Sequence, residues 1–152
     1  MSNLTENIQK MISSYELMKA KLIEELRNSI GEAFKKILEN AQTFKTISWT
    51  QYTDYFNDGE ECNFHAHVDS LYIDDEYMPE NYKKQIWVSG KPKSGYQPNP
   101  NYNQHDGEII ENFGDFLNNI PEEFLKEVFG NHVQITVNIN GTFNITDYTD
   151  HE

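Results

Sequence analysis

From Leu4 to Ala41 the apolar positions Leu4, Ile8, Met11, Tyr15, Met18, Leu22, Leu26, Ile30, Phe34, Ile37 and Ala41 recur in steps of three or four residues. Such spacing lies along one stripe of an α-helix and does not fit the two-residue period of a strand. Ser2 or Asn3 can cap its start, with Glu6 three residues after Asn3 as in a capping box. No Pro interrupts the run, although Asn28, Ser29 and Gly31 are poor helix formers. An unbroken helix of this length reaches about 55–60 Å, well beyond the roughly 30 Å diameter of a small domain. Two solutions follow: a break near 28–31 that folds the helix back, or a continuous helix whose protruding part pairs with a second subunit or a partner. Several of the steps fit a heptad seam. Ile12, Leu17, Ile23 and Leu38 widen the stripe toward packing on a sheet.

The rest of the chain reads as α+β. Residues 44–73 have the pattern of a β-hairpin, ISWTQYTDYFNDGEECNFHAHVDSLYI over 47–73, turning at Asn57-Asp58-Gly59-Glu60. Its first strand is aromatic on both faces, which suits a central position. In its second strand Cys62, Phe64, Ala66 and Val68 alternate with Asn63, His65, His67 and Asp69, so the first set is expected inward and the second outward. Residues 74–107 hold four of the five Pro, three Gly and four Tyr. Within them only Gln85–Val88 has strand character, followed by a turn at Ser89-Gly90, and Lys91 to Asn103 reads as a long extended loop. A second helical pattern over 108–130 is split by Pro121, a residue suited to the first turn of the following helix. A second hairpin occupies 132–148, where Val133, Ile135, Val137 and Ile139 alternate with polar residues before Asn140-Gly141. The expected architecture is one domain over 1–152, helical over 1–43 and 108–130, with the helices on an antiparallel sheet of about four to five strands.

Charge is unevenly spread. The net charge is −13. Residues 1–45 carry a net of +1 and residues 46–152 a net of −14. The acidic part is unsuited to direct nucleic-acid binding, which draws its affinity from Lys and Arg. It favours a protein partner with a basic surface, or serves solubility alone. The mean hydropathy of −0.76 with 13% aromatic residues implies a small core built largely from rings. The lone Cys62, a polar N-terminal stretch and the lack of any apolar run near 18–20 residues point to a reducing cytosol and away from a membrane. The sequons at Asn3, Asn140 and Asn144 carry no weight in that compartment.

Three groups of residues could carry function. His65, His67 and Asp69 offer imidazole and carboxylate ligands along one strand face, a set that suits a divalent metal. The same residues suit the solvated side of an amphipathic strand, so no cofactor is the first expectation. Cys62 reads as a buried structural thiol rather than a nucleophile, since His65 and His67 should face away from it. The acidic clusters at 58–61 and 74–76 lack the regular acidic positions of a calcium loop, and no phosphate loop, nucleophile elbow or dinucleotide fingerprint occurs. The chain therefore reads as a non-enzymatic protein. Its surplus of aromatics is the stronger lead, because Tyr and Trp concentrate in binding surfaces. Trp49, Tyr52, Tyr55, Tyr96 and Tyr102, with the acidic Asp58 and Glu60, form the expected partner-binding set.

Two patches carry a family likeness. Trp49-Thr50-Gln51-Tyr52-Thr53-x-Tyr55-Phe56-Asn57-Asp58-Gly59-Glu60-x-Cys62-x-Phe64 and the terminal His132-Val133-x-x-Thr136-Val137 with Gly141 and Tyr148 resemble a group of small proteins encoded by tailed bacteriophages. The resemblance covers about a third of the chain and implies a phage origin, hence the cytoplasm of an infected bacterium. It brings no activity with it. Combined with the acidic charge, it leads to the expectation of an interaction protein that modulates or inhibits a host nucleic-acid-handling or defence protein. The alternatives are a metal- or small-ligand-binding domain on His65, His67 and Asp69, and an assembly protein that oligomerises, for example as a homodimer, through the N-terminal helix.

Overall fold

The computed structural model describes residues 2–54, 62–90 and 94–148. The N-terminal stripe forms one helix, α1 (Ser2–Leu38), with no break at 28–31. The fold continues with β1 (Thr46–Thr53), β2 (Phe64–Ala66), β3 (Tyr72–Ile73), β4 (Glu76–Tyr77), a 3-10 turn at Glu80–Tyr82, β5 (Gln85–Val88) and β6 (Gly95–Pro98). It closes with α2 (Gln104–Asn118), α3 (Glu122–Phe129), β7 (Val133–Asn138) and β8 (Phe143–Asp147). The fold is α+β, and no described helix is long and apolar enough to cross a membrane.

The main sheet is antiparallel, in the order β4-β3-β1-β7-β8 with β2 also paired to β1. β1 is central: it meets β7 from Thr46↔Asn138 to Gln51↔Val133 on one side. On the other side it meets β3 at Ile47↔Ile73 and β2 at Gln51↔Ala66. The expected pairing of the strand from Ile47 with the strand over 62–69 is present within the described residues, but the second strand stops at Ala66. The turn at 57–60 lies outside the described residues. Two hairpins come from the Pro- and Tyr-rich region. Asp74 and Asp75, both at positive φ, join β3 to β4 in a two-residue turn, where short polar side chains tolerate the left-handed region. β5 and β6 form a separate ribbon, with Trp87 opposite Tyr96. The stretch expected to be loop thus contains a strand. Its partner β5 is close in sequence, but Pro98 hides the strand pattern because it cannot donate to a ladder.

One sheet face carries Ile47, Trp49 and Gln51 from β1 with Val133, Ile135 and Val137 from β7, all of them buried. Against it pack Ile30, Phe34 and Leu38 of α1, Phe113 and Leu117 of α2, and Leu125, Val128 and Phe129 of α3. Phe34 is the hub. Its ring centroid lies 5.2 Å from Phe113, 6.1 Å from Trp49, 6.4 Å from Phe129 and 6.1 Å from Phe143. A single side chain therefore touches α2, α3, β1 and β8.

Buried polar groups complete the tie between sheet and helices. Gln51 accepts from Trp49 Nε1 at 3.0 Å and donates to the carbonyls of Leu125 (3.0 Å) and Gly130 (2.7 Å). The amide closes the end of α3 onto the centre of the sheet. Gly31, a weak point in the helix pattern, lies where the β7–β8 turn abuts α1. A Cβ on Gly141 would come within 2.9 Å of the Gly31 carbonyl and 2.6 Å of Lys35 Cβ, and Gly141 sits at φ +93°.

Phe34→Ala is expected to cost about 3–5 kcal/mol of stability in urea unfolding, the range for emptying a large aromatic site. Lys10→Ala, at an exposed helix position, should stay within about 0.5 kcal/mol of the parent. Gly141→Ala should cost about 1–3 kcal/mol from backbone strain alone, with a further loss where the new methyl meets Lys35.

Candidate functional site

The expected metal-binding residues border one cleft of about 630 Å³ between the β2 end and the α2–α3 junction, shared with Asn118 and Glu122. They are not arranged as ligands on one strand face. Because β2 ends at Ala66, His67 enters a turn, donating its backbone N–H to the Thr50 carbonyl at 2.9 Å. Its ring lies against Tyr52 at 4.5 Å. His65 is 3.6 Å from Glu122, while Asp69 accepts from Asn118 at 3.3 Å. Among the described residues no three His, Cys, Asp or Glu side chains are grouped so as to hold a metal ion. Glu122 has a structural task as well, accepting the backbone N–H of Ala66 at 2.7 Å. Cys62 is half-buried rather than a full core residue. Phe64 is also half-buried, beneath the Lys126 ammonium at 5.6 Å.

The expected partner-binding set separates. Trp49 is 0% exposed, so it belongs to the core and no partner can touch it. Its neighbours in sequence gave it a surface look because the inward face of a central strand is as aromatic as a binding face. Tyr52 is half-buried and stacks on Tyr148 at 5.4 Å. Burial first, then the nearby Asp54 and Tyr72, push its phenol above the ordinary value. Tyr102 is half-buried and packs against α2, its ring filling the space where a Cβ on Gly107 would fall. Tyr55, Asp58 and Glu60 lie outside the described residues. Tyr96 alone stands clearly exposed, edge-to-face with Trp87 at 5.2 Å. Their ribbon is held at its base by buried Asn99, which donates to the carbonyls of Glu80 and Lys83 at 2.9 Å each.

A buried carboxylate was not foreseen in the sequence. Asp106 sits in the first turn of α2 with its side chain fully enclosed. It accepts the backbone N–H groups of Gln42 (3.1 Å) and Thr43 (2.6 Å), the Thr43 hydroxyl, and His105 Nδ1 at 2.7 Å. Asn103, which caps α2 by accepting from the Asp106 N–H, was the available sequence signal: Asn-x-x-Asp at a helix start. Burial tends to raise the Asp106 pKa. The hydrogen bonds from Thr43, His105 and Gln42 outweigh it and hold the carboxyl below its ordinary value. The site is a clasp between the α1–β1 connection and α2.

The first part of α1 is an extended unburied apolar feature. None of residues 3–22 is buried, and Leu4, Ile8, Met11, Ile12, Tyr15, Leu17, Met18 and Leu22 are 47–73% exposed. At its root Tyr15, Met18, Leu22 and Ile23 border an apolar groove of about 340 Å³ with Phe124 of α3, and Lys19 pairs with Glu127 at 3.3 Å. Comparison of the chain with protein-family models, with curated proteins and with solved structures gives no match.

The Asp106 clasp should show in acid. Its lowered folded pKa adds stability that is present above the unfolded Asp value of about 3.9 and is lost as pH falls through the lower folded value. Asp106→Ala leaves the Gln42 and Thr43 donors unsatisfied and should cost about 2–4 kcal/mol near pH 7. The parent and variant curves of unfolding free energy should converge as the pH drops through the lowered folded value.

Proposed function

We propose that this chain is a non-enzymatic interaction protein whose contact element is the projecting part of α1, carried by an acidic α+β body that engages a protein with a basic surface. The observation that carries the reading is the exposed apolar stripe on residues 4–22. A contiguous apolar surface of this kind on a folded protein marks an interaction site. Water alone does not reward its retention. The body supplies the second half: every described Asp and Glu of the β-rich part is exposed except Asp106. The sheet and two short helices thus present carboxylates outward with few Lys to balance them. The resemblance to phage proteins extends the proposal to a modulator of a host nucleic-acid-handling or defence protein, whose basic groove an acidic body suits.

Retention of basic proteins from bacterial lysate on the immobilised chain should weaken steeply between about 0.1 and about 1 M salt, as the Debye length falls from about 10 to about 3 Å. The double change Ile8→Asp/Tyr15→Asp should reduce that retention while leaving the far-ultraviolet circular dichroism intact. Capture that ignores both salt and the arm changes overturns the reading.

A further inference from the structure

Resting on the reading of the arm as a contact element, we infer that its occupant is a second copy of the same chain, lying antiparallel. The first support is a change of period within α1. Leu4, Ile8, Met11, Tyr15, Met18 and Leu22 follow steps of four, three, four, three and four, the alternation of a heptad seam. Beyond Leu22 the inward residues Ile23, Leu26, Ile30, Phe34, Ile37 and Leu38 form the broader face of a helix packed on a domain. At about 100° per residue the centre of the seam lies roughly 90° around the helix from the centre of that inward face. The seam is therefore centred on a different side of the helix from the inward face, and meets the body only at its root, where Tyr15, Met18 and Leu22 border the groove with Phe124.

The second support is self-complementarity. In an antiparallel pair each seam position of one kind faces the other kind. Placing Leu4 opposite Leu22 of the second copy puts Ile8 opposite Met18 and Met11 opposite Tyr15 with no residue left over. The flanking Ile12 then faces its own counterpart across the two-fold axis. In a parallel pair Ile12 would face the polar Asn7. The antiparallel register also delivers the apolar tip at Leu4 and Ile8 to the groove beside Leu22 and Phe124.

Charge selects the same orientation. Residues 46–152 carry −14 in each copy while residues 1–45 carry +1, so the arm is the one part that a second copy can approach without strong repulsion. A parallel pair sets the two acidic bodies side by side. The antiparallel pair offsets them by about 27 Å along the helix axis, beyond the Debye length of about 8 Å at physiological salt. A contact between rods about 30 Å long and 10 Å wide, with the groove added, buries on the order of 1,000 Å² in total. That is the low end for a specific pair, so the dimer is concentration-dependent.

The test uses the full chain in sedimentation velocity from about 1 to a few hundred micromolar. A monomer–dimer equilibrium is expected in the micromolar range, and Met11→Lys should weaken it by about tenfold or more with helicity unchanged. Orientation is read by cysteine pairing in a Cys62→Ser background. Mixed Ile8→Cys and Met18→Cys chains should form a disulfide-linked heterodimer on oxidation, while Ile8→Cys alone should not link to itself. A monomer at every concentration, or self-linking of Ile8→Cys, overturns the inference. A monomer that still captures a basic partner through the arm overturns it while sparing the reading it rests on.

Discussion

The packing of Phe34 against Trp49, Phe113, Phe129 and Phe143 is the contact on which the rest of the structure depends. A chain this polar has little apolar surface with which to offset the conformational entropy of folding. It concentrates that surface in rings, each removing about 150–250 Å² from water. Because the rings come from α1, α2, α3, β1 and β8, the cluster forms only when all five elements are in place. The 8-residue α3 depends most on this packing, because isolated helices below about 12–15 residues are marginal in water.

Polar groups then specify the arrangement that the rings drive. Gln51 is a long polar side chain at the middle of the buried sheet face, and its amide is spent on Trp49, Leu125 and Gly130. Asp106 and Asp74 act similarly on the connection from α1 into β1, the first at Gln42 and Thr43, the second at the Lys45 and Thr46 N–H groups. An apolar side chain at Gln51 or Asp106 would leave buried donors or acceptors unpaired, at about 1–3 kcal/mol each, whereas the Asp74 bonds are exposed to water. Asp106, Asp74 and Glu122 thus serve the architecture of an acidic protein, and of these only Asp106 is buried.

This division gives the molecule two unlike surfaces. The body is compactly anchored and negative. The arm is nearly neutral, apolar along one seam, and projects from the body because its root is held by Leu26, Ile30 and Phe34 in the core. Anchoring suits the contact role proposed for it: the helix is already nucleated by the body, so a partner would not bear the cost of forming the first turn. The cleft carrying His65, His67 and Asp69 lacks this coherence, since each of the three side chains is turned to a different neighbour.

Local spacing in the sequence determined a good deal of this protein. The step pattern from Leu4 onward required a helix, the alternation around Val133–Ile139 required a strand, and Pro121 required that the second helical region be divided. These features depend on neighbours within a few residues, where periodicity is a direct statement of geometry. Tertiary structure alone decided what each face meets. Trp49 and Tyr96 are both aromatic residues in strands, yet one lies under three helices and the other on an open ribbon. The difference lies in partners dozens of residues away. His67 left the expected strand face because β2 pairs with β1 for only three residues, a length set by the path of the chain into β3. Gly31 looked like a break and is instead the point where the β7–β8 turn meets α1. Whether the long helix would break was likewise beyond local spacing: the sequence required apolar residues on the arm, and only the folded body, full at Ile30–Leu38, left them outside.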